Sequence, residues 1–138
     1  MTESLAQVLY PEAHEGDYFY GPADYTPIIN SFGKALARVD DDDWSGDTRV
    51  LLVQDGRYGV LNFGWGSCSG CDALQGCQSY EDVDEVIDAL RAGIRWFDTL
   101  EEAQAYVADD ENRQYDYGYH EENWQQFKSA VLEVTAID

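Results

Sequence analysis

Positive charge is scarce in this chain: eight Lys and Arg stand against 28 Asp and Glu, a formal net charge of -20 over 138 residues. The eight cations are scattered from Lys34 to Lys128 and form no cluster. Phosphates and anionic lipid heads are repelled by such a molecule, which excludes nucleic acid and membrane surfaces as direct partners. Long apolar runs are lacking as well, none approaching the roughly 18 to 20 residues of a membrane span. The first residues carry neither the basic start nor the apolar stretch of a secretory signal. The expectation is a cytoplasmic protein, in the host cytosol if phage-encoded.

Cysteine and histidine are equally sparse. Three Cys packed between Cys68 and Cys77 do not make a secreted disulfide framework, and His14 and His120 are the only imidazoles. No P-loop, dinucleotide fingerprint or GxSxG run occurs. What is present is apolar material: 44% hydrophobic and 14% aromatic residues lie well above a disordered composition. A chain this long forms one domain, 1–138, able to bury roughly two thirds of its unfolded surface.

Residues 1–25 interleave Tyr10, Tyr18, Phe19, Tyr20 and Tyr25 with acids, prolines and glycines, which predicts a mostly irregular Tyr- and acid-rich segment. Thr26 and Pro27 open a helix whose Ile28, Ile29, Phe32, Leu36 and Val39 recur at helical spacing, although Gly33 interrupts it. The run Asp40, Asp41, Asp42 and Asp43 then forms a solvated loop, because four like charges sit badly at the negative end of a helix. Residues 49–54 and 57–63 flank Asp55-Gly56, a strong hairpin signal. Ser79 with Asp82 and Thr99 with Glu102 mark the starts of two helices around a short strand at 94–97. A last helix covers about 121–134. This order describes an α+β domain: a small, mainly antiparallel sheet, made of the hairpin at about 49–63 and the strand at about 94–97, packed with three to four helices.

The spacing Cys68-x2-Cys71-x5-Cys77 lies in a Gly-bracketed run, GWGSCSGCDALQGC. Soft ligands at CxxC spacing suit tetrahedral zinc, with His120 as the candidate fourth ligand and Asp72 as a less typical substitute. The same residues admit a reactive Cys71 thiolate with His120 as base, hence a Cys-dependent enzyme, or a reversible disulfide. They also admit plain thiols packed in a tight turn.

That run, together with IRWFDTLEEA at 94–103 and the aromatic start of the C-terminal helix, resembles a family of small acidic proteins from actinobacteria and their phages that share a GSCSGCDALQ-type motif. The resemblance covers about residues 57–128. It brings no activity, catalytic residue or ligand, and implies a phage or mobile-element setting.

On the helix beginning near Tyr80, Glu81, Asp84, Glu85 and Asp88 share the face away from the apolar stripe. Their spacing sets the carboxylates about 5 to 6 Å apart along the axis, comparable to successive backbone phosphates. The plain alternatives are a solvated helix face and salt adaptation. Asp40, Asp41, Asp42 and Asp43 extend this candidate partner-binding surface, and Tyr18 and Tyr20 set aromatic anchors beside acids, where an arginine from a partner can stack and pair. The leading expectation is therefore an acidic, non-enzymatic phage or mobile-element protein. It would bind a basic nucleic-acid-binding host protein and block its phosphate-recognising surface, as an anti-CRISPR or anti-restriction inhibitor does. The alternative is a small zinc-binding adaptor on Cys68, Cys71 and Cys77.

Overall fold

A computed structural model describes residues 4–15, 18–42, 45–66, 72–113 and 121–135, with backbone alone at 14 and 15. Cys68, Cys71, Asp43, His120 and the tyrosines at 115, 117 and 119 lie outside the described residues.

The strongest element is the hairpin. β4 (Gly46–Gln54) and β5 (Arg57–Trp65) pair antiparallel from Gly46 opposite Trp65 to Gln54 opposite Arg57. Asp55 and Gly56 both take positive φ, 52° and 79°, as a two-residue turn with right-handed strand twist requires. β3 (Lys34–Asp40) adds to the outside of β4 and β6 (Arg95–Phe97) to the outside of β5, giving an antiparallel sheet in the order β3-β4-β5-β6.

Both faces of this sheet are covered. Val50, Leu52, Leu61 and Phe63 pack under α2 (Thr26–Phe32) and α3 (Tyr80–Ala92), while Leu51, Tyr58 and Val60 pack under α4 (Leu100–Ala108) and α5 (Glu121–Glu133). The period of two along each strand therefore sends alternate apolar residues into two cores, and β4 reads as a continuous apolar run because neither face is wet. The fold is α+β with a small antiparallel sheet, as the sequence predicts; among the described residues the sheet has four strands, β3 adding to the expected hairpin and short strand, and there are five α-helices.

Three segments differ from expectation. The helix opening at Thr26 stops at Phe32 rather than continuing to Val39. Gly33 has φ 155°, and a side chain there would meet the Val53 carbonyl oxygen at 2.6 Å, so the chain turns straight into β3. Leu36 and Val39 then face the α4/α5 core from a strand. The expected solvated loop at 40–43 begins instead as strand, with Asp40 ending β3 opposite Thr48 and Asp41 buried.

The N-terminal segment is also more ordered than its composition predicts. Ser4 and Gln7 form a reciprocal capping box around α1 (Leu5–Leu9), and β1 (His14–Glu15) pairs with β2 (Tyr18–Phe19). Ala6, Tyr10, Ala13 and Tyr25 join the same core as α3.

Candidate functional site

The N-terminal segment is fastened to α3 and to the turn before it. The Asp84 carboxylate accepts the Ala6 N–H at 3.0 Å, and the Tyr80 hydroxyl donates to the Tyr10 carbonyl at 2.8 Å. The Phe19 and Tyr80 rings meet edge to face at 5.0 Å. Gly21 lies so close to the Leu74 and Gln75 carbonyls that a side chain there would stand 2.8 Å from the Leu74 oxygen.

This docking joins the two longest stretches of chain without Lys or Arg, residues 1–33 and 58–90. The first holds Glu3, Glu12, Glu15, Asp17 and Asp24; the second holds Asp72, Glu81, Asp82, Asp84, Glu85 and Asp88. The cations elsewhere are largely engaged close to home. Arg38 pairs with Asp40, Arg57 with Asp98, Arg91 with Asp88, Arg113 with Glu121 and Lys128 with Asp110, at 2.8 to 3.4 Å. Arg49 is 1% exposed, donating to Asn123 and lying over Trp124, and Arg95 lies over Tyr106. The 66 residues of these two stretches therefore carry 11 acids and no Lys or Arg, while the other 72 carry 17 acids and all eight cations.

The individual acids have different fates. Glu81, Glu85 and Asp88 are exposed on α3, with Asp88 in contact with Arg91. Asp84 is half-buried and spends an oxygen on α1, so the row on α3 is shorter than its sequence spacing implies. Asp40 is held by Arg38 and Thr48. Asp41 points inward, accepting from the Asp47 N–H at 2.8 Å and the Asn123 amide at 2.9 Å. Its carboxylate, expected from sequence among the exposed partner-binding acids, is buried in the scaffold instead. Asp42 is exposed.

The tyrosines divide as sharply. Tyr18 and Tyr20 stand 70% and 58% exposed with their rings stacked at 6.3 Å. Tyr25 is buried against Phe63 and donates to Asp72 at 2.9 Å. Four of the five exposed large apolar side chains among the described residues, Leu5, Val8, Tyr18 and Tyr20, belong to the N-terminal segment. Exposed apolar side chains gathered in a patch mark interaction surfaces, and here Tyr18 and Tyr20 are in contact with each other.

Of the cysteine constellation, Cys77 lies within the described residues. Its thiol is buried and donates to the Ala73 carbonyl at 3.3 Å. Burial, reinforced by the Asp82 and Asp72 carboxylates, pushes it up to about 11, so it rests protonated at neutral pH. No group of three His, Cys, Asp or Glu side chains gathers in metal-binding geometry among the described residues. Asp72, an outside candidate for a ligand, is instead filled by donors: Tyr25 and the Gly66 N–H share one oxygen, and the Gln75 N–H takes the other at 3.0 Å. A cavity of about 440 Å³ opens beside Cys77, between β5, the turn at 73–76 and the Asp82–Glu85 side of α3.

No helix among the described residues is long and apolar enough to cross a membrane. The chain matches no protein-family profile, no curated protein and no solved structure.

Proposed function

We propose that this chain is an acidic, non-enzymatic interaction protein that binds a basic nucleic-acid-binding protein and covers its phosphate-recognising surface. The observation that carries this reading is the packing of the two longest cation-free stretches against each other, both of which expose acids, Glu12 and Asp24 on one and Glu81 and Glu85 on the other, with Tyr18 and Tyr20 exposed on the first. An ordinary solubilising surface intersperses both signs of charge, whereas an anionic face edged with aromatics complements a surface of Lys and Arg. The resemblance of the cysteine-bearing run to acidic phage and actinobacterial proteins suits a phage or mobile element whose product disarms a host nuclease. An anti-CRISPR or anti-restriction inhibitor is the concrete form.

Immobilised protein should then retain a nucleic-acid-binding protein from a bacterial lysate at low salt, release it as salt rises, and displace labelled DNA or RNA from it. A retained partner that keeps its nucleic acid, or a complex indifferent to salt, overturns the reading.

A further inference from the structure

We propose that the N-terminal segment carries a preformed pocket that takes an arginine side chain of the basic partner; this rests on the functional reading above. The pocket, about 460 Å³, lies between the end of α1, the loop at 20–24 and the start of α2. Its lining includes Tyr10, Tyr20 and three prolines, Pro11, Pro22 and Pro27, together with Glu12 and Asp24.

Three features fit it to a guanidinium rather than to an ammonium. The exposed Tyr20 ring, already stacked on Tyr18, offers a flat aromatic face of the kind on which a planar cation stacks. Glu12 and Asp24 are both exposed and both line the pocket, and Asp24 accepts the Thr26 N–H through one carboxylate oxygen. The proline-lined walls are apolar, and arginine sheds its hydration more readily than lysine on entering such surroundings.

The pocket is also built to keep its shape. The Tyr10 hydroxyl donates to the Asp24 carbonyl at 2.5 Å, the Tyr20 N–H to the Ala13 carbonyl at 2.7 Å, and the Ala13 N–H to the Tyr10 carbonyl at 3.1 Å. With prolines fixing the intervening backbone, little ordering remains to be done on binding. No Lys or Arg occurs before Lys34, and Arg38, which reaches the start of α2 from β3, is engaged by the Thr26 hydroxyl at 2.8 Å and by Asp40.

The test compares fluorescein-labelled nona-arginine with nona-lysine, titrated by fluorescence anisotropy at low and moderate salt. Nona-arginine is expected to bind roughly tenfold more tightly than nona-lysine. Tyr20→Ala and Glu12→Gln, both at exposed positions, should each weaken nona-arginine several-fold and shrink that preference, while Glu101→Gln on α4 leaves it unchanged. Equal binding of the two peptides, insensitive to Tyr20→Ala and Glu12→Gln but weakened by Glu81→Gln with Glu85→Gln, overturns the pocket and leaves the anionic-surface reading standing. Failure of both peptides to bind at low salt overturns both.

Discussion

Tyr25 donates its hydroxyl to Asp72, 47 residues away, at 2.9 Å, and this one contact ties the start of α2 to the turn that leads into Cys77. The same hydroxyl lies 3.4 Å from the Leu74 N–H, and the same carboxylate holds the Gly66 and Gln75 N–H groups. Tyr25→Phe therefore removes one partner from a buried carboxylate and one from a backbone amide while preserving the ring against Phe63. The expected loss is about 1 to 3 kcal/mol. Urea unfolding monitored by fluorescence should show a lower midpoint with an unchanged slope; an unshifted midpoint contradicts the role assigned to this pair.

Alkaline pH should attack the same region. Burial first, then the Asp72 carboxylate, hold the Tyr25 hydroxyl far above its ordinary value of 10.0, and burial with Asp24 does the same for Tyr10. Cys77 rises from 9.0 to about 11. A group whose proton is held more tightly in the fold than in the unfolded chain stabilises fully below its unfolded value, and loses that contribution as pH rises toward the folded one. Stability should accordingly decline from about pH 9 to pH 11 and beyond, with a shallower decline in Tyr25→Phe. Thermal melts across this range give the measurement, and a flat profile between those limits would sink the prediction. Cys77 should likewise react sluggishly with a thiol reagent at pH 8, since only a small fraction is thiolate there.

Asn123 on α5 bridges two charged side chains that come from β4 and from the end of β3. Its amide oxygen accepts from Arg49 Nε at 2.7 Å, and its amide nitrogen donates to Asp41 at 2.9 Å and to the Asp47 carbonyl at 3.2 Å. Replacing Asn123 with Ala strips all three buried groups of the same partner, at a cost of about 2 to 4 kcal/mol, at the upper end of single substitutions. Asn123→Asp should be nearly as harmful, because it sets a carboxylate where Asp41 expects a donor. Trp124 fluorescence during denaturation reports both; a variant within about 0.5 kcal/mol of the parent would show that the bridge is dispensable.

How far these relationships were legible in the sequence depends on how local their causes are. Asp55-Gly56 encodes its turn in two residues, and Ser79 and Thr99 cap the helices that follow them, accepting the N–H groups of Asp82 and Glu102. Leu36 and Val39 fit a helical period, but their pairing with β4 lies outside any local window, and tertiary pairing decided the matter. The acids misled in another way. Asp41, Asp72 and Asp84 count as surface charge in composition, yet each accepts a backbone N–H, and the partners of Asp72 and Asp84 include residues 47 and 78 positions away. The sequence carries two further local signals: the Ser4-x-x-Gln7 capping box, and the absence of Lys and Arg from residues 1–33 and 58–90.

Gly21 separates the shape of the anionic face from its charge. A methyl group there would press on the carbonyls of Leu74 and Gln75, at 2.8 Å from the Leu74 oxygen and 2.7 Å from the Gln75 carbonyl carbon, and backbone atoms in a turn cannot step aside as a flexible side chain can. Gly21→Ala should therefore lift the loop at 20–24 from the turn at 73–76 without altering one charge. Overpacking of this kind costs about 1 to 3 kcal/mol, and the strain should appear first as faster hydrogen exchange at the Tyr20 N–H, which donates to Ala13. If the face works through preorganised geometry, this variant binds nona-arginine more weakly than the parent while its elution from an anion-exchange column stays the same. If bulk charge alone is responsible, binding is unchanged, and the fastening of the N-terminal segment to the turn serves stability only.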